Sequence, residues 1–301
     1  MIGHQMGAPE ADQGPGSAAA PRGRWRYLAQ LGRRHPMAAL GLMLLLAMAV
    51  GAILAPWLGT TDPVQIDPIQ RLRPPSAGNW FGTDLYGRDV YSRTVYGGRV
   101  SLFVGLSVAV SSVLIGLLVG LVSGYSRPAD AIIMRVMDGM MAIPAILVAI
   151  ALMALSRPSV RNVVLAITIA EIPRVVRLVR GLVLSLRERT YVEAAVASGS
   201  RLPRILARHV LPNTVAPLIV QATYVFAAAV LIEAGLSFLG AGTPPQVPTW
   251  GNVIAEGRTF FQVAFWMILF PGLALSATVL SVNLLGDGLR TALDPRLARR
   301  L

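Results

Sequence analysis

The sequence predicts an all-α integral membrane protein with six transmembrane helices. Three observations carry that prediction. Only 14% of the 301 residues are charged while 54% are hydrophobic; a soluble domain carries about a quarter charged residues. Six apolar stretches approach the length that crosses a bilayer, about twenty residues each. The arginines are also unevenly distributed between the loops those stretches define, as the positive-inside rule requires of a multi-pass protein.

The stretches run in order as follows. The first spans Met37–Leu58, after Arg33, Arg34 and Pro36. Its apolar run exceeds a signal-peptide core and no small-x-small cleavage site follows, so it reads as an uncleaved anchor. The second is Val100–Gly124 and the third Ala131–Leu155. The fourth, Asn162–Val179, is interrupted by Glu171, Pro173 and Arg174. The fifth is Thr214–Leu236, and the sixth is Val263–Leu285 with Pro271 as an expected kink. This divides the chain into a tail (1–35), a first span with its outer loop (36–98), a transmembrane core (99–290) and a second tail (291–301). Residues 1–21 are rich in Gly, Ala and Pro and read as disordered.

With the N-terminus placed in the cytoplasm, 19 arginines fall inside and 8 outside. Both termini are then expected to be cytoplasmic. The net charge of +12 is read as contact with an anionic membrane face, not with nucleic acid. All 27 basic residues are arginine. A P-loop needs a lysine on the terminal phosphates, so this chain holds no such ATPase site, and Schiff-base catalysis is excluded too. It has no cysteine, hence no disulfide or thiolate nucleophile. His4, His35 and His209 are too far apart in sequence to suggest a metal site. No spacing pairs a nucleophile with a base.

The loop between spans four and five is the most informative. Thr190 with Glu193 three residues later reads as a capping box, and Gly199 suits the left-handed residue that ends a helix. Ser200 is expected to cap a second helix with Pro203 in its first turn. Leu211-Pro212 is expected to stop it, and Asn213 to cap span five. The plain reading is a pair of surface helices held by arginine and lipid phosphate.

The spacing Glu193-Ala194-Ala195-x3-Gly199-x9-His209-x-Leu211-Pro212 also resembles the EAA loop of ABC importer permeases. The resemblance implies the type I importer permease fold. It makes Tyr191, Glu193, Ala194, Ala195, Ser198 and Gly199 a coupling helix for a separate ATPase, flanked by Arg201, Arg204, His209, Leu211 and Pro212. It implies as partners a second permease subunit, two ATP-binding subunits and an extracytoplasmic substrate-binding protein. ATP and magnesium would bind the ATPase subunits, with no cofactor on this chain.

Further blocks resemble the C-type permeases of the dipeptide, oligopeptide and nickel family: Phe81–Arg93 with Tyr96–Leu102, Glu233–Gly240, Thr243–Gly251, and Asn283–Arg290 with Leu293–Arg296. The likeness covers roughly residues 36–297. It implies a permease of the bacterial cytoplasmic membrane with peptide cargo, the alternatives being nickel, haem or glutathione. In the Pro-rich stretch, Pro244, Pro245, Pro248 and Trp250 become candidates for docking the binding protein. The plain reading of Asp84, Arg88, Asp89 and Arg93 is a solvated interfacial helix with ion pairs one turn apart.

Asp138, Glu171 and Glu233 lie within spans, where ionisable groups are functional candidates. A proton-coupled secondary transporter is the rival class, with Glu171 as its best carboxylate. The favoured alternative pairs Asp138 and Glu171 with arginines such as Arg135 and Arg174, and puts Glu233 within reach of outer water.

Overall fold

The computed structural model describes residues 36–293, and they are helical with connecting turns. The tail expected at 1–35 lies outside the described residues, as does that expected at 291–301 beyond Leu293, where the last helix ends. Helix α1, Pro36–Ile53, packs along α10, Trp266–Leu293, which continues through Pro271.

Helix α2, Val90–Tyr125, begins where Asp89 accepts the Ser92 amide at 2.8 Å, a side-chain cap for an otherwise orphan donor. Its 36 residues make it about 54 Å long, more than a hydrocarbon layer of about 30 Å. Helix α5, Val160–Arg187, lies beside it and is capped by Ser159. Their contact is a register of fours. Gly116, Gly120 and Gly124 of α2 face Val175, Val179 and Val183 of α5; a Cβ on those glycines would come within 2.5, 2.6 and 2.6 Å of the valine Cβ atoms. Small residues at this spacing let two backbones approach, which is how membrane helices gain packing energy without a hydrophobic drive. Ser111 and Thr168 bridge the same interface at 2.8 Å.

The polar residues that interrupt the apolar run of span four do not break its helix. Helix α5 runs unbroken through Glu171, Pro173 and Arg174. Proline removes a single backbone donor, and neighbouring helices hold the chain in place. Span three, by contrast, is corrected. The segment expected as Ala131–Leu155 is two helices, α3 (Arg127–Met141) and α4 (Ala145–Ala154), bent by 88°. Pro144 opens α4; it has no amide to offer the preceding turn, and its ring would strike the Met140 carbonyl in a continuous helix. Helix α3 is fastened to α5 by ion pairs. Arg180 donates Nε and Nη2 to the Asp130 carboxylate at 2.5 and 2.6 Å, and Arg177 reaches Asp138 at 2.6 Å. Asp138 thus pairs with Arg177 and not with Arg135.

Beyond α5 come α6 (Thr190–Ala197), α7 (Leu202–Ile205) and α8 (Leu211–Phe238). Leu206–Val210 forms a π turn that joins α7 to α8. Leu211-Pro212 therefore does not stop a helix. The wider turn lets the Leu211 amide bond the Leu206 carbonyl and makes room for the Pro212 ring. Asn213 caps nothing; its Nδ2 donates back to the His209 carbonyl at 2.6 Å. Short α9, Trp250–Gly257, lies between α8 and α10.

The apolar core sits between α2, α5 and α8, with Val104, Val108, Val163, Ile167, Val225 and Ala229 buried together. Among the described residues, four helices are long and apolar enough to cross a membrane: α1, α2, joined α7–α8 and α10. The bent α3–α4 pair would make a fifth. Helix α5, with Glu171, Arg174, Arg177 and Arg180, is not one of them.

Candidate functional site

Helix α6 stands at the end of the bundle where α2 and α5 terminate. Its N-cap is Arg189, whose backbone is extended and whose carbonyl accepts the Val192 and Glu193 amides at 2.9 and 3.1 Å. No side chain caps it. The expected capping box is therefore absent. Thr190 is already the first helical residue, so its hydroxyl falls one position too late to serve as cap.

The other end matches the expectation. Gly199 has φ +74°, its amide bonds the Val196 carbonyl at 2.9 Å, and the Ser200 amide bonds the Ala195 carbonyl at 3.1 Å. This pair of bonds is a Schellman closure, and an L side chain at Gly199 would be strained. Ser200 is consumed by it, and Arg201 takes the N-cap of α7 with no side-chain bond.

Val192 is the single buried side chain of α6, at 2% exposure. Tyr191, Glu193, Ala194 and Ser198 are exposed, as is Gly199; Ala195 is half-buried. A helix of small residues with one anchor presents nearly its whole circumference outward. Tyr125, Arg127, Arg187, Glu188, Val192 and Glu193 line a 630 Å³ cavity on its bundle side. Arg201, Arg204 and Arg208 are exposed, and the half-buried His209 ring lies 6.1 Å from that of Tyr191. Leu211 is half-buried and Pro212 exposed. The structure thus gathers Tyr191–Gly199 and its flank into one surface.

At the opposite end, the Pro-rich loop is organised by one amide. Asn252 Nδ2 faces the Thr243 hydroxyl at 2.9 Å and the carbonyls of Thr243, Pro244 and Val247 at 3.3, 3.0 and 3.0 Å. Pro245 is exposed, Pro244 and Pro248 are half-buried. Trp250 is 2% exposed and donates Nε1 to the Thr94 carbonyl at 2.9 Å. Its reading as a docking residue is corrected: it is a packing anchor between α9 and α2.

A second correction concerns Asp84, Arg88 and Arg93, which are buried and not a solvated helix face. Asp84 accepts from Arg88 Nε and Arg93 Nη1, both at 2.6 Å. The same two arginines reach Glu256 of α9 at 2.5 and 2.6 Å. The network ties the segment before α2 to a helix more than 160 positions away. Nothing in local spacing signals Glu256. Glu233 is also buried, at 0% exposure, and accepts from Ser237 Oγ at 2.9 Å and Ser101 Oγ at 3.4 Å. Outer water does not reach it. Glu171 meets Arg174 at 3.4 Å, as expected.

The family described as the binding-protein-dependent transport system inner membrane component matches residues 112–299, which include α6, the π turn and the Pro-rich loop. The chain belongs to this family. The permease also matches the N-terminal TM domain of oligopeptide transport permease C over residues 24–75. It is 52% identical to a probable peptide ABC transporter permease protein of Sinorhizobium fredii, covering 94% of this chain and 97% of that one. It is 43% identical to a dipeptide transport system permease of Alkalihalophilus pseudofirmus, covering 91% and 90%. With a probable D,D-dipeptide transport system permease of Escherichia coli it shares 41% identity over 93% and 96%. The permease is a membrane component of an ABC importer, and the secondary-transporter alternative falls with that membership.

Proposed function

We propose that this permease forms half of the pore of an ATP-driven peptide importer and takes its power stroke through α6. The observation that carries the coupling role is α6 itself: an outward-facing helix of small residues, anchored by Val192 and closed by Gly199. Such a surface fits a groove on an ATPase. Peptide cargo is supported by the peptide and dipeptide permeases to which the chain is similar.

In this reading both termini are cytoplasmic and six spans cross the membrane. The bent α3–α4 pair is the third and α5 the fourth, its arginines lying toward the inner face. A related permease supplies the other half of the pore. Two ATPase subunits, carrying ATP and magnesium, dock on the two coupling helices. An extracytoplasmic binding protein delivers the peptide near Pro244, Pro245 and Pro248. ATP closes the ATPase pair and draws the coupling helices together, because that state binds ATP more tightly than the open one.

Uptake of labelled dipeptides, nickel, haem and glutathione in a deletion strain tests the cargo, with the complemented strain restoring dipeptide uptake alone. Restoration of one of the other solutes would refute peptide cargo. Gly199→Val and Glu193→Ala test the coupling surface; both are expected to lower uptake while the permease stays in the membrane. Normal uptake with both would refute it.

A further inference from the structure

Arg99 is the tenth residue of α2, about 14 Å from its start, yet it is exposed. Its side chain crosses to the end of α1, where Nε donates to the Ala52 carbonyl at 2.6 Å and Nη2 to the Ile53 carbonyl at 2.8 Å. Those carbonyls belong to the last turn of a helix and lack intrahelical donors. The guanidinium also lies 4.8 Å from the centroid of the Tyr96 ring. Among the described residues no carboxylate pairs with it. The result is a fixed positive charge on the outer surface of two membrane-spanning helices, stabilised by the carbonyl end of α1 but without a formal counter-charge among the described residues.

Directly below that charge is an apolar groove of 360 Å³ between α1 and α2, walled by Ala49, Ala52, Ile53, Leu102, Phe103 and Leu106. Ala49 and Ala52 open it, because the alanine methyls leave space that larger residues would fill. Exposed Trp57 lies just past α1, and aromatic residues of this kind mark the headgroup layer. A second cleft of 480 Å³, on the α10 side of α1, contains no charged residue among those lining it. The two grooves flank the same helix, and of the two only the first has a cation at its mouth.

We propose that the α1–α2 groove is a binding site for one anionic phospholipid of the adjacent leaflet, its phosphate on Arg99 and an acyl chain against Leu102, Phe103 and Leu106. The occupant follows from charge and depth together: an anion is needed at the mouth and an apolar chain below it. A zwitterionic lipid carries a cation that would lie beside Arg99. The site is independent of the cargo assignment, and its failure would leave the transport reading intact.

The test is native mass spectrometry of the assembled transporter, purified in detergent and equilibrated with equal phosphatidylglycerol and phosphatidylcholine. Wild type is expected to retain phosphatidylglycerol about fivefold over phosphatidylcholine, the factor that one basic side chain provides at an anionic surface. Arg99→Gln is expected to abolish that preference. Ala49→Trp leaves the Arg99 bonds to α1 in place and is expected to lower retention of both lipids. Equal retention by wild type, or an unchanged preference in Arg99→Gln, would overturn the proposal. So would efficient crosslinking of Ala49→Cys to the second permease, because protein and not lipid would then cover the groove.

Discussion

The two ends of this permease are built on opposite principles. At the α6 end, one buried valine and one glycine turn hold an exposed helix in place. At the α9 end, two arginines, Asp84 and Glu256 form a closed, largely buried network, and Asn252 gathers a loop around itself. The first surface carries little of its own stability and is free to be completed by another protein. The second is held together by its own side chains, whatever docks on it. In the proposed coupling role, the permease is lightly held where the ATPase would push and firmly held where its own segments must stay assembled.

Breaking the firm end should have the largest effect. Arg93→Ala leaves the Asp84 carboxylate buried with one partner fewer, and is expected to cost about 3–5 kcal/mol. Reduced thermal stability and membrane abundance of the purified subunit would register it. Replacing Glu256 by Gln, which keeps shape but not charge, should cost less than Arg93→Ala; equal losses would show that charge and not geometry holds the network. Next comes the seam between the ends. Gly120→Val places its Cβ against Val179, and overpacking is expected to cost about 1–3 kcal/mol. Pairing it with Val179→Ala should recover part of that loss, measured as a double-mutant cycle.

Changes at the lightly held end should be smaller in stability and larger in transport. Gly199→Val strains a left-handed residue by about 1–2 kcal/mol, yet should reduce peptide uptake far more than Arg93→Ala does per unit of lost subunit. If uptake simply tracked subunit abundance in both variants, the contrast between the ends would collapse. Arg204→Gln, exposed and unpaired among the described residues, is expected to move stability by about 0.5 kcal/mol or less; any loss of uptake would then reflect an intermolecular contact.

The sequence made the helical class and the α6 surface legible because both rest on short-range patterns. Apolar run length marks the helices, and Glu193-Ala194-Ala195 with Gly199 lies within nine positions. Local reasoning failed wherever a distant residue decided the outcome. Asp84, Arg88 and Arg93 look like a solvated face until Glu256 arrives from α9. Trp250 looks like a docking residue until Thr94 claims its indole proton. Glu233 looks wet until Ser101 closes over it. Proline was ambiguous for a related reason. Pro144 breaks the chain by 88°, whereas Pro173 does not interrupt α5 and Pro212 is absorbed by a π turn. The ring chemistry is identical; the packing around it is not, and packing is not written within a few residues of the proline.

The π turn has one more consequence. Because it joins α7 to α8 without breaking the helix, Leu202–Phe238 is one continuous 37-residue element, about 55 Å along its axis. One tip lies beside α6, and the other carries Ser237, against which Gly251 of α9 packs. A rigid body needs no chain of relayed side-chain rearrangements to carry information. In the proposed coupling role, a tilt of a few degrees at the Leu202 tip would displace the far tip by ångströms, to the extent that this one helix is stiff.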